Sequence, residues 1–95
     1  MFHIVYTKQA VKDISHLKAA HLDEKAKRLI QILREDPFLN HPLHKVLVGI
    51  FQGYFSRRIN LQHRLVYQVF REPCEYKGTR YEGTVKIIRM WTHYE

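Results

Sequence analysis

Two short segments, Ser56-Arg57-Arg58-Ile59 and His63-Arg64-Leu65-Val66-Tyr67, place three guanidiniums and an imidazole within nine residues. Arginine presents a rigid fork of N–H donors that matches the oxygens of a phosphate, whereas lysine acts as a point charge. Both segments read as strands joined by a turn at Asn60, Leu61 and Gln62, and a turn centred on Leu61 sets Arg58 directly opposite Arg64. Like charges at facing positions destabilise a strand pair. An anion held between the two guanidiniums relieves that repulsion, and so does screening by solvent, so spacing alone leaves both readings open. A slip of one residue would pair Arg57 with Arg64 instead, with the same consequence.

The surrounding charge sharpens the choice. The 95 residues carry 16 Lys+Arg against 9 Asp+Glu, a net charge of +7. Residues 1–40 hold seven bases and five acids; residues 41–95 hold nine and four. Nothing acidic lies between Asp36 and Glu72, a stretch that contains Lys45, Arg57, Arg58, Arg64 and Arg71. A face meant only for solubility would interleave both signs, so the pattern points to a polyanionic partner, with nucleic acid first. His41 and His44 are too few for a metal site, and no metal or other cofactor is expected. Cys74 sits near Glu72 and Glu75, which raise a thiol pKa and argue against a nucleophile.

Length and composition bound the rest. Ninety-five residues make one domain, spanning 1–95, with a modest core. A single cysteine excludes an internal disulfide and fits a reducing, cytoplasmic setting. The longest apolar run, 46–51, is far too short to span a membrane, and the N-terminus lacks the order of a signal peptide.

The elements that must position these residues follow from periodicity. Phe2, Ile4 and Tyr6 alternate as in a strand. Thr7 is placed to N-cap a helix carrying Ala10, Ile14 and Leu17 on one face. Leu22, Ala26, Leu29, Ile30 and Leu33 repeat the helical pattern until Asp36-Pro37 stops it. Strands are expected at 53–59, 63–70 and 84–92, with a weaker one at 45–51 and a long polar hairpin loop over 71–83. Tyr54, Phe55 and Tyr67 are expected in the core rather than on a ligand. The order β-α-α-β-β-β gives an α+β fold: an antiparallel sheet of four to five strands covered by an N-terminal helical hairpin.

The segment Ser-Arg-Arg-Ile-x-x-x-His-Arg-Leu-Val-Tyr at 56–67 resembles the signature of the YoeB/Txe toxins of the RelE superfamily. The closing His93-Tyr94, the helical hairpin and Asp36-Pro37-Phe38 fall at that family's positions too, so the resemblance covers essentially the whole chain. It implies a microbial-ribonuclease-like fold. The implied activity is that of a toxin of a type II toxin–antitoxin system, a metal-independent endonuclease that cuts mRNA in the 30S A site of the ribosome. In that reaction the ribose 2′-OH attacks its own 3′ phosphate and leaves a 2′,3′-cyclic phosphate. The resemblance makes His93 the general acid, Arg64 the transition-state cation, Arg58 its support on RNA, and Tyr94 an orienting or stacking residue. Arg57 and His63, in the same motif, are further candidates for contact with RNA phosphate. The implied partners are a cognate antitoxin, the ribosome and mRNA, with a homodimer left open.

One position departs from the family. Its catalytic glutamate falls on Lys45, and no carboxylate lies anywhere in 37–71 to replace it. Lys45 could act as base or as a phosphate cation, and His41 or His44 could take the proton. The rival expectation is a non-catalytic RNA- or ribosome-binding protein that kept the scaffold and lost the base. Two smaller departures are the long 71–83 segment and Glu95, which follows the terminal His-Tyr and brings negative charge near His93.

Overall fold

The computed structural model describes residues 1–38, 44–46, 54–60 and 62–92, with backbone alone at 44–46 and 92. The first strand, β1 (Phe2–Tyr6), leads directly into α1 (Lys8–Ala19). Thr7 caps that helix as its spacing predicts: its Oγ1 accepts from the Ala10 amide at 3.1 Å. The helix ends in a Schellman pattern. The Leu22 amide donates to the Leu17 carbonyl at 2.8 Å and the His21 amide to that of Lys18 at 3.1 Å. His21 supplies the left-handed residue at φ 59°. Helix α2 (Asp23–Glu35) opens with Asp23 and Glu24, favourable against the positive end of the helix dipole. Asp36, extended ahead of Pro37, closes it.

Five strands form the main sheet in the order β1-β7-β4-β3-β2, with β2 at His44–Val46, β3 at Tyr54–Arg58, β4 at Arg64–Phe70 and β7 at Gly83–Thr92. Alternation along β4 sends Leu65 and Tyr67 toward the helices, where they join Phe2, Val85, Ile87 and Met90. Ala10 and Leu17 of α1 and Ala26, Leu29 and Leu33 of α2 close that core from the other side.

Two expectations are corrected. The sheet is mixed: β1 pairs with β7 in parallel, while the other neighbours are antiparallel. A first strand can reach a parallel partner because the whole chain intervenes, a relation that local periodicity does not carry. The 71–83 segment is a hairpin with strands of its own, β5 (Cys74–Tyr76) and β6 (Thr79–Tyr81). Lys77 and Gly78 take positive φ at its turn, at 51° and 81°. His3 meets the rings of Tyr76 and Tyr81 edge-on, at 4.6 and 5.0 Å, and ties this hairpin to β1. Of the strand expected at 45–51, only 45 and 46 lie within the described residues, both in β2.

Strand β7 is longer than its partner β4, and the surplus is absorbed by register shifts between Arg64 and Val66 and between Val66 and Tyr67. Such bulges leave backbone groups without ladder partners, and α1 satisfies them. Asp13, with a side chain only 1% exposed, accepts from the amides of Met90 at 2.9 Å and Trp91 at 3.2 Å on its Oδ2. The same oxygen accepts from Arg89 Nε at 2.9 Å. Thr7 Oγ1 donates to the Ile88 carbonyl at 2.7 Å. Burial pushes the Asp13 carboxyl up, but the hydrogen bonds from Arg89, Met90 and Gln9, with the charge of Arg89, outweigh it and hold it below its ordinary value.

Removing one member of a buried pair leaves the other groups stranded, so Asp13→Ala should lower unfolding free energy by about 3–5 kcal/mol in urea titrations at pH 7. A carboxyl with a depressed folded pKa stabilises fully above its unfolded value of about 3.9, and that contribution is lost as pH falls through the folded value. The gap between wild type and Asp13→Ala should therefore hold from neutral pH down to about 4 and narrow only below it. A variant as stable as wild type at pH 7 would contradict this account.

Candidate active site

The arginine hairpin forms in the register that sets Arg58 against Arg64. Its turn is built by Asn60, whose Oδ1 accepts from the amides of Gln62 at 2.9 Å and His63 at 2.7 Å. The ladder closes through the Ile59 amide, which donates to the His63 carbonyl at 2.9 Å. Arg58 is exposed and Arg64 half-buried. Arg64 Nη1 donates to Ser56 Oγ at 3.4 Å, and Ser56 itself is fully buried. On the neighbouring strands, Lys45 of β2 pairs with Ser56, and Thr92 of β7 pairs with Arg64. Four strands thus converge on the Ser56–Arg64 pair. His93 and Tyr94 follow Thr92 in sequence and lie outside the described residues, as do His41 and the side chain of Lys45.

Arg57 does not belong to this surface. Alternation turns it to the helix side, where it is fully buried. Its Nε donates to Tyr67 Oη and its Nη2 to the Pro37 carbonyl, both at 3.1 Å, and Tyr67 Oη donates to the same carbonyl at 3.3 Å. The expected contact of Arg57 with RNA phosphate is therefore corrected: its guanidinium pins the chain after α2 to the sheet. Burial raises the Tyr67 phenol above its usual pKa, against the nearby charge and hydrogen bond of Arg57. Tyr67 is core, as expected, and Phe55 stacks on it at 5.7 Å.

His63 is engaged by a residue the sequence reading did not single out. Its ring lies flat on Trp91, with centroids 3.7 Å apart and planes at 16°. His16 of α1 stacks more loosely at 5.7 Å and 19°. His63 Nδ1 is buried with no hydrogen-bond partner among the described residues. The stack bridges the start of β4 and the end of β7, the two segments that flank the arginine pair. Its only sequence signal is a tryptophan two residues before His93.

A model of the YoeB-like toxins of bacterial type II toxin–antitoxin systems matches residues 6–94. The chain belongs to this family. Among solved YoeB proteins, a YoeB/ParE toxin from Agrobacterium tumefaciens superposes with a TM-score of 0.77 at 28% identity, covering 98% of this chain and all of that one. The toxin-bearing YoeB-YefM complex from Staphylococcus aureus gives 0.71 at 26% identity, with 99% of both chains covered. A Mycobacterium bovis toxin YoeB is 39% identical over 54 residues, a match spanning 57% of this chain and 64% of that relative's length. YafQ from Escherichia coli, at 20% identity and a TM-score of 0.69, shares the fold. Among the described residues, no helix is long and apolar enough to cross a membrane. Nor do those residues hold a group of three or more His, Cys, Asp or Glu fit for a metal ion.

Trp91 is the only tryptophan of this YoeB-family chain, so its emission reports the stack without interference. His63→Ala should shift that emission to the red, increase its quenching by acrylamide, and lower stability by about 0.5–1.5 kcal/mol, the usual worth of an aromatic pair. Unchanged emission and quenching would show that the stack does not form in solution.

Proposed function

We propose that the protein is a ribosome-dependent mRNA endonuclease that works without metal. The observation that carries this reading is the facing pair Arg58 and Arg64 beside Ser56, on a surface whose sequence window contains no acid. Two unneutralised guanidiniums are costly together until an anion lies between them, and the charge of a pentavalent phosphorane exceeds that of the ground-state phosphodiester. Arg64, steadied by Ser56, grips that charge; Arg58 supports it from the solvent side.

The 2′-OH gives up its proton as the O2′–P bond forms, to Lys45 where that amine acts as base or to solvent water where Lys45 stays a cation. The P–O5′ bond then breaks, and the departing 5′ oxygen takes a proton from His93. Imidazole titrates near neutral pH and suits that transfer. The products are a 2′,3′-cyclic phosphate and a free 5′-OH. Lys45 pairs with Ser56 in the strand register, next to the Arg64 contact, and stands where the family carries a glutamate. As a base it needs its pKa brought from about 10.4 to near 7, roughly 4–5 kcal/mol of differential stabilisation. As a cation it needs no shift, and alignment of the RNA by the ribosome then supplies much of the rate. Tyr94 orients or stacks on a base. A cognate antitoxin holds the toxin in check, and the setting is cytoplasmic.

The missing glutamate also supports a second reading, a protein of the same fold that binds the ribosome or its RNA without cutting. Programmed ribosomes incubated with the protein, followed by mapping of new mRNA 5′ ends, separate the two. Cleavage should appear with wild type and fall by about 10²–10³-fold in Arg64→Ala, the usual loss for one oxyanion-type donor. His93→Gln should lose about 10²–10⁴-fold, as for a general acid. Ribosome binding with no new 5′ ends would contradict the enzyme and leave the binding protein.

A further inference from the structure

Counted by residues, α2 is nearly neutral in charge, but its charges are sorted in space. Lys25, Arg28 and Leu29, at i, i+3 and i+4, share one side of the helix. They line a cleft of about 250 Å³ whose opposite wall is Arg58 and Ile59, at the end of β3. Three cations therefore surround one hollow, and no carboxylate lines it. Glu24 stands four residues before Arg28, a favourable spacing for a pair, yet it lies against Lys27 at 3.7 Å instead. Among the described residues, no carboxylate lies within ion-pair distance of Lys25, Arg28 or Arg58. Arg58 belongs to both places: it lines this cleft and it faces Arg64 in the sheet.

We propose that this cleft is a second phosphate subsite, in which Lys25 and Arg28 hold a phosphodiester of the same single-stranded RNA whose scissile phosphate lies at Arg64. The identity of the strand rests on the endonuclease reading; the site itself rests on the sorted charges. Leu29 and Ile59, which form the apolar part of the lining, are only 7% and 2% exposed. Neither offers an exposed hydrophobic anchor for a peptide side chain, whereas a phosphodiester backbone requires charge and asks for no such anchor. The geometry makes Arg58 the shared post between two successive phosphate contacts, and it gives the excess charge of the toxin a direction: from the sheet toward α2.

The test uses the full-length protein and a fluorescein-labelled, single-stranded RNA dodecamer, with binding read by anisotropy across a salt series. Each phosphate contact contributes about 0.7 to the slope of log K against log salt for a single strand. Lys25→Ala/Arg28→Ala, which removes both ligands of that one phosphate, should therefore flatten the slope by about 0.7. A control removing two cations that do not line the cleft, Lys8→Ala/Lys12→Ala, should leave it within about half of one contact. The same flattening should appear in an Arg64→Ala background, so loss of cleavage and loss of this subsite remain separable. An unchanged slope, a shift no larger than the control's, or no measurable RNA binding by wild type would overturn the proposal. So would an RNA slope that holds while that for poly-L-glutamate flattens, which would assign the cleft to an acidic protein segment.

Discussion

The site depends on a buried carboxylate that touches none of the groups assigned to the reaction. Asp13 projects from α1 into the sheet and gathers the amides of Met90 and Trp91 together with Arg89 Nε on one oxygen. Those amides are free because β7 bulges against β4, and a bulged strand would otherwise leave donors buried without partners. Thr7 does the complementary service for the carbonyl of Ile88 while capping α1. The helix is thereby docked on the sheet through polar groups as well as through Ala10 and Leu17. The bulges advance β7 so that Thr92 pairs with Arg64 and Trp91 reaches the His63 ring. The strand that leads to His93 is aimed by the same carboxylate.

Two adjacent arginines show how alternation divides labour. Arg57 and Arg58 differ by one position and so fall on opposite faces. The first is enclosed with Tyr67 and the Pro37 carbonyl, where it ties the exit of α2 to the sheet. The second is exposed, faces Arg64, and borders the cleft beneath α2. Sequence proximity made them look like a pair; the pleat makes one a structural tie and leaves the other on the exposed face.

Much of the scaffold was readable because its signals are local. The Thr7 cap, both helices with their stop at Asp36-Pro37, and the strands carrying Arg58 and Arg64 all follow from spacing within a few residues. The facing register followed from the turn, and Asn60 explains it. What stayed hidden depends on distant partners. The parallel pairing of β1 with β7 joins residues about eighty positions apart in the chain. Asp13 sits on the core face of α1, between Ala10 and Leu17, a placement that makes sense only once the bulge amides are present. Arg57 reads as a phosphate ligand until its carbonyl and phenol acceptors are known. The hairpin within 71–83 rests on short strands stabilised by contact with His3, which no window of local sequence contains.

The proposed function rests on one chemical claim, that the RNA cuts itself through its own 2′-OH while protein cations carry the developing charge. The end groups of the cut mRNA test that claim most directly. A 2′,3′-cyclic phosphate on the upstream fragment and a 5′-hydroxyl on the downstream fragment are the outcome the account requires. A 3′-hydroxyl with a 5′-phosphate would mean attack by water from outside the ribose and would contradict it.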